Sequence, residues 1–218
     1  VASHFINELL IQNYEVFALV RNKNKYLSEY RMKDMLIQIN NTANEKFRNL
    51  KVYNYNLLEE DFSLQQKQIE DIFGEAVDYF HFAACLKYDA KNKYEIFKTN
   101  VDGIENSVKT FLKHSKPTSR FFYISTVYSC GRFSGLFEER FYENKDISSF
   151  RNYYEQSKRY AENIIRKYIE EGELDGYIIR LSQVVGNSIT GITTTDYGLF
   201  DFVKRLSYFA LKRPDSKV

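Results

Sequence analysis

The chain has 218 residues and a net charge of +2, and its composition is 44% hydrophobic and 28% charged. This length and balance predict one globular domain over residues 1–218 and exclude an intrinsically disordered chain. So small a net charge gives no indication of nucleic-acid binding. The two Cys make no disulfide framework, and no His/Cys spacing predicts zinc or another metal.

Five short apolar stretches have the pattern of buried strands. In chain order they are EVFALV (Glu15–Val20), LKVYNY (Leu50–Tyr55), VDYFHFAA (Val77–Ala84), RFFYIST (Arg120–Thr126) and GYIIRLS (Gly176–Ser182). Near-continuous apolar strands are typical of parallel sheets covered on both faces. Amphipathic helical stretches alternate with them. The alternation predicts an α/β fold with a doubly wound parallel sheet flanked by helices.

No apolar run approaches the 18 or more residues of a membrane-spanning helix, and no signal segment opens the sequence. We therefore expect a cytoplasmic protein without a membrane span. The first residue is Val1 rather than Met, and SHFINELLIQN already has a helical pattern. We expect that a segment upstream of this helix is missing.

The first strand stretch ends in LVRN, at Arg21. Open parallel sheets bind ligands beyond the carboxyl ends of their strands, and in dinucleotide-binding folds the second strand ends near the adenosine ribose. An acidic side chain there accepts from the ribose 2′-hydroxyl, whereas an Arg suits a 2′-phosphate. Arg21 therefore favours NADP over NAD, although a solvated Arg after a strand is the simpler interpretation of this residue alone.

The third strand stretch ends in FHFAAC, where small side chains at Ala83 and Ala84 would let a cofactor approach the backbone. We expect His81 to pack or hydrogen-bond at the strand rather than to bind a ligand. Asn100, in TNVDG, has two interpretations: it caps the next helix, or it holds the strand ends together. Capping is the interpretation that the sequence alone favours.

The fourth strand stretch ends in FYISTVYSCG, and Thr126, with Ser125 beside it, is a candidate to bind a substrate carbonyl oxygen. Three Tyr-x-x-x-Lys pairs occur in the chain, against about 1.6 expected by chance. They are Tyr94/Lys98, Tyr154/Lys158 and Tyr208/Lys212. Tyr154 and Lys158 alone open the long helix after the Thr126 strand. Their position therefore selects them as the catalytic candidates.

Six pieces of the sequence together resemble the extended short-chain dehydrogenase/reductase superfamily in order and spacing. They are LVRN, FHFAA, TNVDG, YISTVYSCG, YEQSK and RLSQVVGNSITG. Within the superfamily, VVGNSITG (Val184–Gly191) resembles the thioester reductases and fatty acyl reductases of the male sterility type. Sugar-nucleotide epimerases usually carry Arg-Pro near this point, where this chain has Arg180 and Leu181.

The resemblance implies a Rossmann-type fold that opens with a strand and a Gly-rich turn. VASHFINELL resembles the tail of that turn, with Ala2 in place of its third glycine. We therefore expect the first strand and the first two glycines upstream of Val1, and a substrate-binding region beyond the last strand seen here. An acidic residue that often contacts adenine in the family is replaced by Asn56.

The resemblance also implies an NADPH-dependent oxidoreductase that reduces an acyl or peptidyl thioester to an aldehyde or alcohol. The thioester would be carried on coenzyme A or on the phosphopantetheine of a carrier protein, as in a nonribosomal peptide synthetase. Tyr154 would donate the proton, Lys158 would favour its phenolate and bind the nicotinamide ribose, and Thr126 would orient the substrate oxygen. The residues expected to contact the cofactor are Arg21, Ala83, Ala84, Asn100, Ser125, Tyr154 and Lys158.

Two other functions stay open at this point. A nucleotide-sugar epimerase or dehydratase of the same superfamily would keep NAD bound and use the same Tyr154 and Lys158. A nucleotide-binding module without turnover is the second alternative, because a fold does not determine a function. The relative affinity for NADPH and NADH separates the first alternative from the reductase.

Overall fold

The computed structural model describes residues 1–23, 25–40, 44–192 and 199–212. Within them the β-strands are β1 (Val16–Leu19), β2 (Leu50–Tyr53), β3 (Asp78–His81), β4 (Arg120–Thr126) and β5 (Gly176–Leu181). The α-helices are α1 (Ala2–Ile11), α2 (Ser28–Asn40), α3 (Gln66–Phe73), α4 (Lys93–Phe97), α5 (Gly103–His114), α6 (Tyr153–Glu170) and α7 (Leu199–Lys212). A π-helical turn over Lys98–Asp102 joins α4 to α5. Turns of 3-10 helix occupy Asn44–Asn49, Ala90–Asn92 and Val127–Cys130, and Glu60–Ser63 is a turn with a left-handed backbone at Asp61 and Phe62.

The five predicted strands are all present, and the predicted α/β fold with parallel strands flanked by helices is confirmed. β4 has the predicted ends, and the largest difference is at the end of β3. β3 pairs with β4 only as far as His81, opposite Tyr123. The chain therefore leaves the sheet before Ala83 and Ala84, which lie in the loop after the strand and not within it.

The chain divides into two compact units. The first comprises Val1–Val16, Tyr30–Lys51 and Gln183–Val218, and the second comprises Phe17–Glu29 and Val52–Ser182. The first unit has its own buried apolar side chains, among them Met32 and Leu36 on one face of α2. All of the predicted catalytic and cofactor-binding residues belong to the second unit.

The sheet of the second unit has the order β3-β4-β5, with all neighbouring strands parallel. A separate two-stranded sheet pairs β1 with β2. Register partners on one face of the three-stranded sheet are aromatic: the Phe80 and Phe122 rings stack at 4.5 Å between centroids, and the Phe122 and Tyr177 rings at 5.0 Å. Such cross-strand pairs stabilise a sheet and fix its register.

The opposite face of β4 is covered by α5 and α6. Val108 and Phe111 from α5, Phe121 from β4, and Ala161 and Ile165 from α6 are at most 2% exposed. Each fully buried Val, Ile or Phe side chain contributes roughly 1.5–3 kcal/mol to folding. This packing holds the start of α6 beside the carboxyl end of β4.

No helix within the described residues is both long enough and apolar enough to cross a membrane.

Candidate active site

Lys158 lies in the second turn of α6 and is 3% exposed. α6 begins after Asn152, whose side chain accepts a hydrogen bond from the N–H of Glu155 at 2.9 Å and so caps the helix. The Lys158 ammonium donates to the carbonyl oxygen of Ile124 at 2.7 Å. Burial lowers the pKa of Lys158 to about 7, against a smaller opposing effect of Glu162.

The Lys158 ammonium also lies 4.2 Å from the centroid of the Tyr123 ring. Tyr123 is buried, and its hydroxyl has no hydrogen-bond partner among the described residues. A ring face attracts a cation through its quadrupole, and the attraction is strongest where water is excluded. The Tyr123 ring therefore stabilises the Lys158 ammonium, which donates no hydrogen bond to a carboxylate within the described structure.

Tyr154 lies in the first turn of α6, one turn before Lys158, and its side chain is partly buried. Its ring meets the Tyr88 ring edge to face, with 5.6 Å between centroids. Burial, and secondarily Tyr88, raise the pKa of Tyr154 to about 12. The expectation that Lys158 favours the phenolate stays a prediction, because the rise of this pKa comes from burial and from Tyr88. A phenol with a raised pKa stays protonated at neutral pH, as a proton donor must.

The other two Tyr-x-x-x-Lys pairs have no such surroundings. Tyr94 is 76% exposed, and the ammonium of Lys98 lies 5.5 Å from its ring centroid. Tyr208 is exposed on α7. The sequence context selected Tyr154 and Lys158, and this is the pair that the fold buries beside the end of a strand.

Thr126 is the last residue of β4 and is buried. Its hydroxyl oxygen accepts a hydrogen bond from the N–H of Tyr128 at 3.3 Å, which caps the 3-10 turn that follows. Lys158 binds the backbone of Ile124, two residues before Thr126, so the fold brings these predicted catalytic residues to one place. The hydroxyl of Ser125 donates to Glu162, and so it does not face the side of β4 where Thr126 and Lys158 come together.

Asn100 lies in the π-helical turn and is buried. Its side-chain oxygen accepts from the N–H of Cys85 at 2.6 Å, and its amide nitrogen donates to Cys85 O at 3.1 Å and to Ser157 Oγ at 2.9 Å. The helix-cap interpretation is wrong, because the residue before α5 is Asp102 and the Asn100 side chain bonds outside its own helix. Asn100 joins the loop after β3 to α6 beside Lys158.

The loop after β3 carries Ala83 and Ala84, both partly buried, directly before Cys85. Through Asn100 this loop is held against α6, so the two alanines and the Tyr154–Lys158 turn are joined by a continuous set of contacts. His81 is buried and shares a hydrogen bond of 3.1 Å with Ala83 O. The expectation that His81 packs and hydrogen-bonds at the strand is confirmed.

Arg21 follows β1 and is exposed. Its charge acts on two residues: it lowers the pKa of Lys87 in the loop after β3, against a larger rise from Glu95, and opposes the rise that burial imposes on the pKa of Tyr55. Lys87 forms an ion pair with Glu95, with 2.6 Å between Nζ and Oε2. Arg21 therefore stays the candidate cation at the end of β1.

The sequence did not reveal a buried ionic cluster behind the end of β4. Its centre is Glu162 on α6, which accepts hydrogen bonds from Ser125, Ser129, Arg159 and Arg180. All of these groups except Arg180 are at most 5% exposed. The one available signal was spacing, because Glu162 follows Lys158 by one helical turn. Charged side chains on a helix are usually solvated, and so the pattern did not indicate burial.

The residues around this site fit a nicotinamide nucleotide. A Lys ammonium has three donors, and Lys158 directs one of them to Ile124 O, which leaves two for the hydroxyls of a ribose. Ala83 and Ala84 carry short side chains in the loop after β3, and Arg21 is an exposed residue after β1. Among the described residues, no group of three or more His, Cys, Asp or Glu side chains is arranged to hold a metal ion.

The family model described as "Male sterility protein", a family of NAD-binding domains, matches residues 1–211. The comparison with curated proteins gave no match. Among solved structures, the terminal R domain from the myxalamid PKS-NRPS biosynthetic pathway is similar with a TM-score of 0.81 and 22% identity. The alignment covers 96% of this chain and 52% of that one.

Two further solved structures share the fold. A thiolation-reductase di-domain from an archaeal non-ribosomal peptide synthetase has a TM-score of 0.74 at 21% identity, over 95% of this chain and 56% of that one. The UDP-Glc/GlcNAc 4-epimerase from Campylobacter jejuni has a TM-score of 0.62 at 18% identity, over 97% of this chain and 59% of that one. The chain thus spans little more than half the length of these relatives.

Proposed function

The chain belongs to the male sterility protein family, and we propose that it reduces an acyl or peptidyl thioester with NADPH. Membership makes it an oxidoreductase domain that uses a nicotinamide cofactor. The proposed substrate is carried on coenzyme A or on the phosphopantetheine of a carrier protein, and the product is an aldehyde or an alcohol. Support for the thioester comes from VVGNSITG and from the likeness to R domains that belong to carrier-protein synthetases.

The observation that carries the proposal is the burial of Lys158 one helical turn from Tyr154. A lysine ammonium is costly to bury, and among the described residues no carboxylate accepts a hydrogen bond from this one. Such an arrangement is typical of a functional site, because a purely structural lysine would reach solvent or an acidic partner. In our proposal Lys158 donates to the hydroxyls of the nicotinamide ribose and so orients the cofactor.

The bound reduced nicotinamide would supply hydride to the thioester carbonyl carbon. The Thr126 hydroxyl would hold the carbonyl oxygen at the end of β4 and fix its direction. As that oxygen gains negative charge, the Tyr154 hydroxyl would donate its proton to it, and the product of this step is a hemithioacetal. Its carbon–sulfur bond then breaks, which releases the aldehyde and a free thiol; a second round of hydride transfer gives the alcohol.

The raised pKa of Tyr154 supports this direction of proton flow. With a pKa of about 12 the phenol is fully protonated at neutral pH, and it enters the reaction as the acid. The Lys158 charge beside it would then stabilise the phenolate that proton donation leaves behind, although burial keeps the resting phenol neutral. The role of Lys158 toward Tyr154 is therefore proposed for the reacting complex rather than for the resting protein.

The proposal is tested with Tyr154→Phe in the full-length protein, assayed by NADPH oxidation with an acyl-CoA and with an acylated carrier protein. Loss of a positioned general acid typically costs about 10²–10⁴-fold in rate, and we expect a loss of that size with unchanged NADPH affinity. Tyr94→Phe, at the exposed pair, is the matched control and should keep wild-type turnover. Wild-type turnover in Tyr154→Phe would remove Tyr154 from the mechanism.

The epimerase alternative is tested in the same preparation. A nucleotide-sugar epimerase of this fold would bind NAD more tightly than NADP, and it would interconvert a UDP-sugar without net oxidation of the cofactor. Tight NAD binding together with UDP-sugar turnover would favour that alternative. NADPH consumption that depends on an acyl thioester would exclude it.

A further inference from the structure

The carboxylate of Glu162 fixes the protein segment on both sides of Thr126. Ser125, directly before Thr126, donates its hydroxyl to Glu162 Oε1 at 2.5 Å. Ser129, three residues after Thr126, donates its hydroxyl to the same oxygen at 2.8 Å. Glu162 is 2% exposed, and so both hydrogen bonds are shielded from water. One carboxylate oxygen on α6 thus holds the last residue pair of β4 and the 3-10 turn after it.

The second oxygen of Glu162 is bound by two arginines. Arg159 Nη1 donates to Oε2 at 2.8 Å, and Arg180 Nη2 donates to Oε2 at 3.0 Å. Arg159 Nε also donates to the carbonyl oxygen of Ser129 at 3.0 Å, so it fixes the same turn through the backbone. A buried carboxylate with this many charge-assisted donors has one preferred position. The groups that are hydrogen-bonded to it are therefore also held in fixed positions.

Arg180 extends the cluster into the loop between the 3-10 turn and α6. Its guanidinium donates to the carbonyl oxygens of Glu138 at 3.2 Å and Arg140 at 3.0 Å. It also lies 4.6 Å from the centroid of the Phe137 ring. The position of this loop therefore depends on the same ion pair as the position of the Thr126 turn.

We propose that Glu162 is a positioning residue that holds Thr126 and the loop beyond it in the geometry that orients the substrate oxygen. The inference rests on the proposed function, because it needs Thr126 to bind that oxygen. Thr126 has one side-chain torsion before its hydroxyl, so for a given rotamer the position of the hydroxyl follows the position of the backbone. A shift of about 1 Å in a reacting group costs on the order of 10²-fold in rate. Hydrogen bonds that fix the backbone on both sides of Thr126 therefore help to keep the reaction rate high.

The test uses Ser129→Ala and Glu162→Gln in the full-length protein. Ser129→Ala removes one hydroxyl anchor and leaves every ion pair of Glu162 in place. Glu162→Gln keeps the size of the side chain but removes the charge that balances buried Arg159 and partly buried Arg180. Glu155→Gln is the matched control, because Glu155 is also a buried glutamate of α6 with an arginine partner, Arg151, yet it has no hydrogen bond to the Thr126 segment.

We expect Ser129→Ala to lower kcat for an acyl thioester at least tenfold and Glu162→Gln to lower it about 10²-fold. The Kd for NADPH should stay within twofold of wild type in Ser129→Ala, because this change touches neither Lys158 nor Arg21. Glu162→Gln also removes a charge that favours protonated Lys158, so the cofactor affinity is judged on Ser129→Ala. Glu155→Gln should keep kcat within twofold. A purely structural role would reduce the amount of folded protein or the melting temperature without this separation of kcat from cofactor affinity. If Glu162→Gln does not fold, Ser129→Ala alone decides.

Amide hydrogen exchange provides a readout that needs no turnover. The Tyr128 amide donates to Thr126 Oγ1, and the Gly131 amide donates to Tyr128 O at 3.0 Å. We expect Ser129→Ala to lower protection of these two amides at least tenfold, with Glu155→Gln unchanged. If the wild-type protein reduces no thioester, the proposed function is contradicted. The amide hydrogen exchange of Ser129→Ala would still test whether these hydrogen bonds hold the Thr126 segment in place. Unchanged exchange and unchanged kcat in Ser129→Ala would overturn it.

Discussion

The ammonium of Lys158 lies 4.2 Å above the ring of Tyr123, and its one hydrogen bond within the described structure goes to a backbone carbonyl. Glu162, one helical turn after Lys158, is bound by Arg159 and Arg180. The cation is therefore buried against an aromatic face with its remaining donors available to a ligand. Without a ligand, burial of the Lys158 charge lowers the free energy of unfolding, and this loss can be measured.

Lys158→Met should stabilise the protein and abolish its proposed activity. Burial lowers the pKa of Lys158 from 10.5 to about 7, so the folded state disfavours the charged form. The destabilisation is fully present below pH 7, and it decreases as the pH rises from 7 toward 10.5, where the unfolded state also loses the proton. We expect a gain of about 1–4 kcal/mol in urea denaturation at pH 6.5 and a smaller gain at pH 9.5.

Lys109→Met is the control for this experiment, because Lys109 is an exposed lysine of α5 paired with Glu105. It should change the free energy of unfolding by less than about 0.5 kcal/mol at either pH. A Lys158→Met protein that is less stable than wild type at pH 6.5 would mean that the lysine charge is well solvated or well paired in solution.

The affinity for NADPH should weaken as the pH rises above 7. The bound cofactor needs the protonated Lys158 as a donor, and with a pKa of about 7 an increasing fraction of the free protein lacks that proton. Three groups near Lys158 do not titrate in this range: burial lowers the pKa of His81 to about 3 and raises the pKa values of Tyr123 and Tyr154.

NADPH fluorescence titrations between pH 7 and pH 9 check this expectation, and Kd should rise up to tenfold per pH unit at the upper end. In Lys158→Met the affinity should be weak and independent of pH over the same range. A pH dependence that persists in Lys158→Met would assign the titration to another group.

Arg21→Ala should weaken NADPH binding and leave NADH binding unchanged. A hydrogen bond between a guanidinium and a phosphate contributes about 1.5–3 kcal/mol, which corresponds to roughly 10–160-fold in Kd. Arg205→Ala, an exposed arginine of α7 paired with Asp201, is the control for the loss of one positive charge. Equal losses for NADPH and NADH, or a wild-type preference for NADH, would remove the argument for NADP.

Ser63→Gly should stabilise the protein. Asp61, Phe62 and Ser63 have φ values of 48°, 58° and 56°, a left-handed turn in which every residue has a side chain. The buried ring of Phe62, which packs against Tyr55 and Tyr79, holds the turn in place. Such a conformation costs roughly 1–2 kcal/mol per residue that has a Cβ, and Gly avoids the cost. We expect a gain of about 1 kcal/mol in thermal or chemical denaturation.

Ser115→Gly provides the contrast, because Ser115 has φ −74° and ψ 156°, an ordinary conformation for any residue. There the added freedom of the unfolded chain should destabilise the protein by about 0.5–1 kcal/mol. Stabilisation by both substitutions would show that the backbone strain at Ser63 is not the cause.

The strands were predictable because apolar runs of a buried parallel sheet stand out from the charged stretches around them. β4 was predicted to the residue, and the Tyr154–Lys158 pair was selected by its place after that strand. The surroundings of the pair were not predictable. The pKa of Tyr154 depends on the contact with Tyr88, which lies 66 residues away in the chain, and on burial that no local pattern encodes.

Asn100 shows the same limit. From the sequence, an Asn shortly before a helical stretch is most simply a cap, since its short amide commonly bonds the next backbone N–H. The structure places it inside a turn where its side chain bonds Cys85 and Ser157, 15 and 57 residues away. Buried Glu162 was missed for a related reason: its partners come from β4, from the turn after β4 and from β5, and these elements meet only in the folded protein.

The π-helical turn at Lys98–Asp102 also has a geometric consequence for the helical segment that contains it. Ile96, Asn100, Ile104 and Val108 follow one another at intervals of four, and all of them are buried. In a straight α-helix each interval of four residues turns about 40° past a full revolution, so such a row winds around the axis. The wider π turn absorbs this excess and keeps the row in line. The extra residue of a π turn is accommodated within the turn, so removing one residue from Lys98–Asp102 would convert it to an α-helical turn and leave Ile104 and Val108 on the buried side.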